Sequence, residues 1–508
     1  MCSNIKNFFE LRELTLTMEK HILSKSTFIK GLQCEKALYL SKYNRELKDE
    51  LSSLQEAIFS QGTRVGELAQ DLFPGGVDCT PESYFDFQQA VIKTQEEIKK
   101  GTKIIYEAAF QFDGVLAALD ILVNDDEGWK AYEVKSSTSV TETYILDASI
   151  QYYAITNSGI ELKDISIIYI NNKYIRKGEI NIHQLFTIES VKNKVQKMQF
   201  ELPAQIDRLK QVLLQKEVPV KDIGPHCSSP YACDFSGHCW KHIPENSVFD
   251  LTRLFSYKKF ELYKQGILHF KDIPKDFPLS EQQWMQIHAE QTQETIIKPA
   301  SISSFLNKLK YPLYYLDFET FTSPIPLLDN SKPYQQLVFQ YSLHIEQADG
   351  SLEHREFLAE CDGSDPREKF VKQLIKDCGT FGDIIVYNIG FERGKVQDLT
   401  SQFPEYQREL IAITNRMVDL MLPFQNKWYY TPSMKGSYSI KKVLPALVPE
   451  LSYNDLEIKE GGTASSVFTS MFTGDYTGDI EQTRKNLLAY CKLDTLAMVE
   501  IVRFLKNI

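Results

Sequence analysis

Long apolar runs are missing from this 508-residue sequence. None is long enough to cross a bilayer, so no membrane association is expected. The opening stretch, MCSNIKNFFELRELTLTMEKHILSKS, lacks the apolar core of a secretion signal, and Met18 offers an alternative start. Residues 1–20 read as an N-terminal tail and the protein as cytoplasmic. Internal repeats and low-complexity linkers are missing too, which leaves domain boundaries soft. Cysteine is limited to nine positions, which in a cytoplasmic chain of this length is no disulfide framework. Net positive charge is also lacking: the formal net charge of −11 argues against a protein coated in basic surface. It leaves nucleic acid open as a partner, because local patches decide binding and clustered acids that hold divalent cations add to the negative count.

What is present is a globular composition, 43% hydrophobic and 25% charged. The length suggests two to four domains. Residues 21–243 mix helix and strand patterns and form an N-terminal α/β unit. Residues 244–305 look all-helical and read as a connector. Residues 306–508 alternate strands with helices as a C-terminal α/β unit. Basic stretches occur at 98–103, 171–179, 191–197 and 256–264; each reads as a solvated face. LYKQGILHFKDIP loosely resembles a phosphate-binding helix–hairpin–helix element, although Gly266 reads more simply as a helix C-cap.

The stretch LLAYCKLDTLAMVEIVRFL, 487–505, is helical in period. One face carries Leu487, Tyr490, Cys491, Asp494, Ala497, Met498 and Ile501, so a carboxylate sits in an apolar stripe. A buried carboxylate needs a donor, a cation or a shifted pKa. LYYLDFETFT, 313–322, reads as a buried strand whose alternation puts Asp317 and Glu319 on one face. In DIIVYNIGFERG, 383–394, a strand over 384–387 is followed by Asn388 and Glu392 at its C-terminal end, where α/β proteins place their chemistry.

These three segments, in this order, resemble the motifs of DEDD (DnaQ-like) 3′→5′ exonucleases, in the subgroup with a tyrosine in the last motif. The resemblance covers about 306–508 and implies an RNase H-like fold with a central mixed sheet. Asp317, Glu319, Glu392 and Asp494 would hold two Mg2+ or Mn2+ ions, with Tyr490 orienting the attacking water. Glu392 stands where the family usually has aspartate, and Asp419 in RMVDLML competes as the fourth acid.

LAALDILVNDDEGWKAYEVKSSTS, 116–139, reads as a β-hairpin turning at Asn124–Gly128. A centre between Asp126 and Glu127 sets Asp120 opposite Glu133 and puts Lys135 on the same face. This Asp…Glu-x-Lys arrangement resembles the PD-(D/E)xK nucleases, which have a restriction-endonuclease-like fold, and EVKSS is close to the form in RecB-like members. By that resemblance Asp120 and Glu133 bind metal, Lys135 acts on the water, Gln151 is the following glutamine and Glu67 is the upstream acid. Gly66 and Ile155 depart from the pattern, where relatives have histidine and tyrosine.

Cys227, Cys233 and Cys239 fall in one short segment, and Cys34 is the candidate fourth sulfur. One early and three late cysteines resemble the iron–sulfur nucleases of CRISPR adaptation and of recombination-repair helicase–nucleases. The resemblance implies a [4Fe–4S] cluster; zinc is the alternative, with His226 and His238 as possible partners. The remaining cysteines, Cys491 included, read as packing residues.

As a whole the sequence resembles a bacterial family joining a RecB-like iron–sulfur nuclease to a DEDD exonuclease-like domain. The expected function is a metal-dependent nuclease with two active sites at nucleic-acid ends, DNA favoured over RNA. The alternative is a nucleic-acid-binding protein whose N-terminal domain is an inactive clamp. A third, weaker reading is a scaffold with structural acids. Oligomeric state is left open.

Overall fold

A computed structural model describes residues 23–83 and 87–508; the N-terminal tail and its alternative start lie outside the described residues. The chain divides into two compact α/β units. The first spans Met1–His242 with Pro324–Pro333, and the second Ile243–Ser323 with Tyr334–Ile508. The helical segment expected as a connector therefore falls within the second unit. Among the described residues no helix is long and apolar enough to cross a membrane.

The first unit is built on a mixed sheet of strands β1 (Leu23–Ser24), β2 (Val77–Asp78), β3 (Ile104–Phe112), β4 (Val115–Asp125), β5 (Gly128–Lys135), β6 (Leu162–Ile170) and β7 (Phe186–Ser190). The order is β2-β3-β4-β5-β6-β7, with β1 paired to β4. β4 and β5 pair from Asp125↔Gly128 to Ile121↔Tyr132, the register of a hairpin centred between Asp126 and Glu127. Its longer helices are α1 (Lys25–Gln33), α2 (Glu35–Tyr43), α3 (Ser53–Gln70), α4 (Phe87–Lys100), α5 (Glu142–Asn157) and α6 (Leu202–Leu214).

The two sheet faces have different covers. Ile121, Val123, Tyr132 and Val134 join Val65 and Ala69 of α3 in one core. Leu122 and Ala131 join Ile145, Ala148 and Ile155 of α5 in another. Strand alternation assigns Asp120 and Glu133 to the α5 face.

The second unit holds a five-stranded sheet of β8 (Leu313–Phe321), β9 (Leu337–Glu346), β10 (Leu352–Leu358), β11 (Asp383–Val386) and β12 (Met417–Asp419). The order is β10-β9-β8-β11-β12. β8, β9 and β10 are antiparallel, whereas β11 runs parallel to both β8 and β12. Helices α7 (Arg367–Cys378), α8 (Ile389–Gln402), α9 (Ile440–Leu447), α10 (Gly461–Thr473) and α11 (Ile480–Lys506) matter below. Before the sheet, Gly266 (φ 76°) ends the helix Ser256–Lys264. Gly266 N–H bonds Tyr263 O at 2.9 Å and Ile267 N–H bonds Leu262 O at 3.0 Å, a Schellman C-cap.

Candidate functional site

Each unit carries a carboxylate site. In the second, β8 presents Asp317 and Glu319 on one face, because successive side chains alternate. The apolar stripe of α11, including Leu487, Cys491, Met498 and Ile501, is buried and brings Asp494 to those two acids. Among the described residues, Asp317, Glu319 and Asp494 form the one acid, histidine or cysteine set whose ligand atoms all lie within 4.8 Å of one another. Glu392, in the first turn of α8, is buried, and its Oε2 has no hydrogen-bond partner. Burial and then the Asp317 charge push its carboxyl up to about 9. Asp317, Glu319 and Asp494 are also held above the carboxylate range, by burial first; for the two acids on β8, repulsion within the cluster adds to it.

Asp419, the competing acid, is committed elsewhere. It accepts from Asn388 N–H (3.2 Å), Ile389 N–H (3.3 Å) and Met421 N–H (2.9 Å), satisfying the N-terminus of α8. Asn388 caps that helix in the left-handed region at φ 84°. The strand ends at Val386, so Tyr387 lies outside it.

The motif reading missed three groups here. The Tyr453 hydroxyl donates to Asp494 Oδ1 at 2.6 Å. Lys441 in α9 lies over the rings of Tyr490 (5.3 Å) and Tyr453 (5.7 Å) and lowers the carboxyls of Asp317, Glu319 and Asp494 by its charge. The thiol of Cys491, expected only to pack, lies 3.7 Å from Asp317 Oδ2 as a donor. Tyr490 is buried, and burial with the Asp494, Glu319 and Asp317 charges holds its phenol protonated. A Cβ at Gly461 would stand 3.5 Å from Glu319 Oε2 and 3.8 Å from the Tyr490 hydroxyl, ordinary contact distances, so Gly461 borders the acids.

In the first unit Glu133 is buried, and each of its oxygens is used. Oε1 accepts from Lys135 at 2.8 Å and from Lys25; Oε2 accepts from the Gln151 amide at 2.6 Å. Lys135 also bonds Asp147 at 2.7 Å. Asp120 Oδ2 accepts from Val134 N–H. Burial opposes the charge on Glu133, but Lys135 and Lys25 outweigh it and hold the carboxyl below its ordinary range. Asp120 is pushed up, by burial first and then by Glu133. Glu107 is the second acid to act electrostatically on Asp120, after Glu133; burial takes it up to about 7, and its backbone lies at φ 52°.

Glu67 does not join this cluster. α3 packs with Val65 and Ala69 on the opposite sheet face, and Glu67 sits about 200° around the helix from Val65, exposed. Motif spacing alone does not report which face a helix covers. The partners that spacing missed are Lys25, Asp147 and Glu107. Gly66 faces open space, and Ile155 is a core residue.

Cys34, Cys227, Cys233 and Cys239 line one small cavity, with His226 but not His238. Cys34 sits between α1 and α2 as the N-cap of α2, and its side chain makes no capping hydrogen bond. Gly224 N–H bonds the Cys227 sulfur at 3.5 Å. The late segment is tied to the early helices by Gln33 to the carbonyls of His226 and Tyr231 (both 2.7 Å), and by Lys30 to Asp234 (2.6 Å).

A family model described as "Domain of unknown function (DUF2779)" matches residues 314–439. That span includes Asp317, Glu319 and Glu392 and stops before Tyr453, Tyr490 and Asp494. The chain is 28% identical over 292 residues to an uncharacterised protein of Ureaplasma parvum, covering 51% of this chain and 42% of that protein. It is 28% identical over 221 residues to an uncharacterised protein of Mycoplasma genitalium, covering 40% of this chain and 33% of the relative. The matched region thus spans less than half the length of these curated relatives.

Proposed function

We propose that the protein is a metal-dependent nuclease whose second unit trims nucleic acid from 3′ ends. The observation that carries this is the convergence of Asp317, Glu319 and Asp494 within 4.8 Å, with the partnerless Glu392 Oε2 beside them. Uncompensated buried carboxylates are costly, and divalent cations satisfy them. The donor set is all oxygen, which suits Mg2+ or Mn2+. Bound there, two such ions would activate water and stabilise the leaving oxygen. The chain's own part is positional: Tyr453 fixes Asp494, and Tyr490 offers a hydroxyl to the attacking water. The mixed sheet order β10-β9-β8-β11-β12 supports an RNase H-like fold.

The first unit is read as a RecB-like, PD-(D/E)xK nuclease, in which Asp120 and Glu133 would hold metal and Lys135 would act on water. A clamp remains the second reading, favoured by one observation: Glu133 is already neutralised by Lys25 and Lys135. The cysteine cavity is read as the seat of a [4Fe–4S] cluster, with zinc the alternative: it gathers four sulfurs, and the Gly224 N–H is aimed at that of Cys227.

Cleavage of end-labelled DNA and RNA by wild type, Asp317→Ala, Lys135→Ala and the double variant tests the reading. Trimming that survives Asp317→Ala with its polarity unchanged would refute the second-unit assignment. Anaerobically purified protein should be brown and contain iron; colourless protein with stoichiometric zinc would replace the cluster by a zinc site.

A further inference from the structure

Both lone pairs of Glu133 Oε1 are taken, by Lys25 and Lys135, and Oε2 accepts the Gln151 amide, so Oε1 can serve a divalent cation only if one of its two ammonium donors leaves. Gln151 is fully buried and also bonds Ala118 O at 3.3 Å. Lys135 is held by a second acid, Asp147, at 2.7 Å. Among the described residues Lys25 has Glu133 as its one ion-pair partner, and its side chain is 27% exposed against 1% for Glu133. The main chain around Lys25 is fixed, because Leu23 pairs with Val115 in β4 and Ser24 closes a capping box over α1. The mobile part is therefore the ammonium at the end of a flexible four-carbon stem.

Lys25 also lines a groove of about 510 Å3, together with Ser26, Lys30, Gln33, Phe59 and Tyr231. Phe59 and Tyr231 are exposed aromatic rings, the kind of surface on which bases stack. Lys25 and Lys30 line the groove together with Asp147 and Asp234; Lys30 is paired with Asp234, so a phosphodiester there would draw on Lys25, whose partner Glu133 is not part of the lining.

We propose that Lys25 is a resident counter-ion that keeps the Asp120–Glu133 site closed to divalent metal until a phosphate group in this groove takes its ammonium. The proposal rests on the reading of the first unit as a nuclease. It makes metal binding there substrate-dependent: the phosphate draws Lys25 outward, Glu133 Oε1 loses one cation, and a divalent ion replaces it. Lys25 acts through Glu133 and is a positioning residue.

Full-length cluster-bearing protein, its second-unit site emptied by Asp317→Asn and Glu319→Gln, is titrated with Mn2+ and followed by EPR. Titrations run with and without a five-nucleotide phosphorothioate thymidylate. The oligonucleotide should tighten Mn2+ binding about tenfold in this background, an ordinary coupling between two ligands. Adding Lys25→Met should give the tightened value without oligonucleotide and little further gain with it, while Lys25→Arg should restore the coupling. Equal Mn2+ affinity in the background and the Lys25→Met protein would overturn the gate while leaving the nuclease reading intact. If Glu133→Gln leaves all Mn2+ binding unchanged, the metal lies elsewhere, and the first-unit nuclease reading falls together with the gate.

Discussion

The two carboxylate sites balance charge in opposite ways. In the first unit, buried Glu133 meets two ammonium groups and an amide, so the site is satisfied by the chain itself. In the second, three acids converge within 4.8 Å, a fourth carries a partnerless oxygen, and Lys441 supplies a distributed positive field. Like charges crowded in low dielectric raise one another's pKa, and only protons or cations relieve them. The first site is therefore satisfied as folded, whereas the second needs protons or cations to be. This contrast gives the clamp reading its force for one unit and denies it to the other.

The largest test removes the acids. Asp317→Asn should lower 3′→5′ trimming by at least about a thousandfold, the scale of losing a group essential to chemistry. Lys135→Ala should leave trimming unchanged but abolish whatever cleavage Asp317→Asn protein retains, as read on strands labelled at either end. No residual cleavage by the Asp317→Asn protein on any substrate would make the first unit a clamp and sharpen the asymmetry.

What was legible in the sequence follows the same divide between local and distant contacts. Asp317 with Glu319 follows from strand period, Tyr490 with Asp494 from one helical turn, and the hairpin register from its turn residues. Lys25, Asp147, Glu107 and Tyr453 were not legible, because tertiary packing brings them in. Tyr453 lies on a short 3-10 turn 41 positions from Asp494, and Lys25 lies 108 positions from Glu133. Glu67 was misassigned because a motif offset carries no information about which sheet face α3 covers.

Acidity separates the sites next. In metal-free protein Glu392 sits at about 9, and Asp317, Glu319 and Asp494 are also raised. Between the unfolded carboxylate range near 4 and those values, the native state binds more protons than the unfolded chain, so stability falls as pH rises. In EDTA the second unit should lose on the order of 2 kcal/mol between pH 5 and pH 8. Glu133 has the other sign: its carboxyl is depressed, so its contribution is present above the unfolded value and lost as pH falls. Asp120, up to about 8, and Glu107, up to about 7, give the first unit a falling slope of the same sign between pH 5 and pH 8, so the two units part below about pH 4.5, where only the first loses the Glu133 contribution as pH falls. Urea denaturation read by pulse proteolysis of fragments from each unit measures both slopes; parallel slopes below about pH 4.5 would break the comparison. Saturating Mn2+ should reverse the second unit's trend, because the ligands bind metal deprotonated.

Two tyrosines near one aspartate should then separate by kinetics. Tyr453→Phe removes the bond to Asp494 Oδ1 and should weaken Mn2+ binding about tenfold, as outer partners of metal ligands do. Excess Mn2+ should recover most of its trimming rate. Tyr490→Phe should keep Mn2+ affinity and lower the rate at saturation. Identical Mn2+ dependence in the two variants would mean that both tyrosines merely pack.

The smallest effect is the most discriminating, because the same isosteric change should have opposite signs at the two sites. Asp494→Asn removes a charge beside Asp317 and Glu319 while keeping an oxygen that accepts from Tyr453. Metal-free protein should gain about 1 kcal/mol, a typical size for a single substitution, while Mn2+ binding and trimming are lost. Glu133→Gln removes the carboxylate that two ammonium groups share and should cost stability, since breaking a buried ion pair leaves charge uncompensated. Chemical denaturation of each variant in EDTA reads both signs. If Asp494→Asn destabilises the apo protein and trimming persists, Asp494 is a structural carboxylate of the α11 core, and the exonuclease reading fails at that helix.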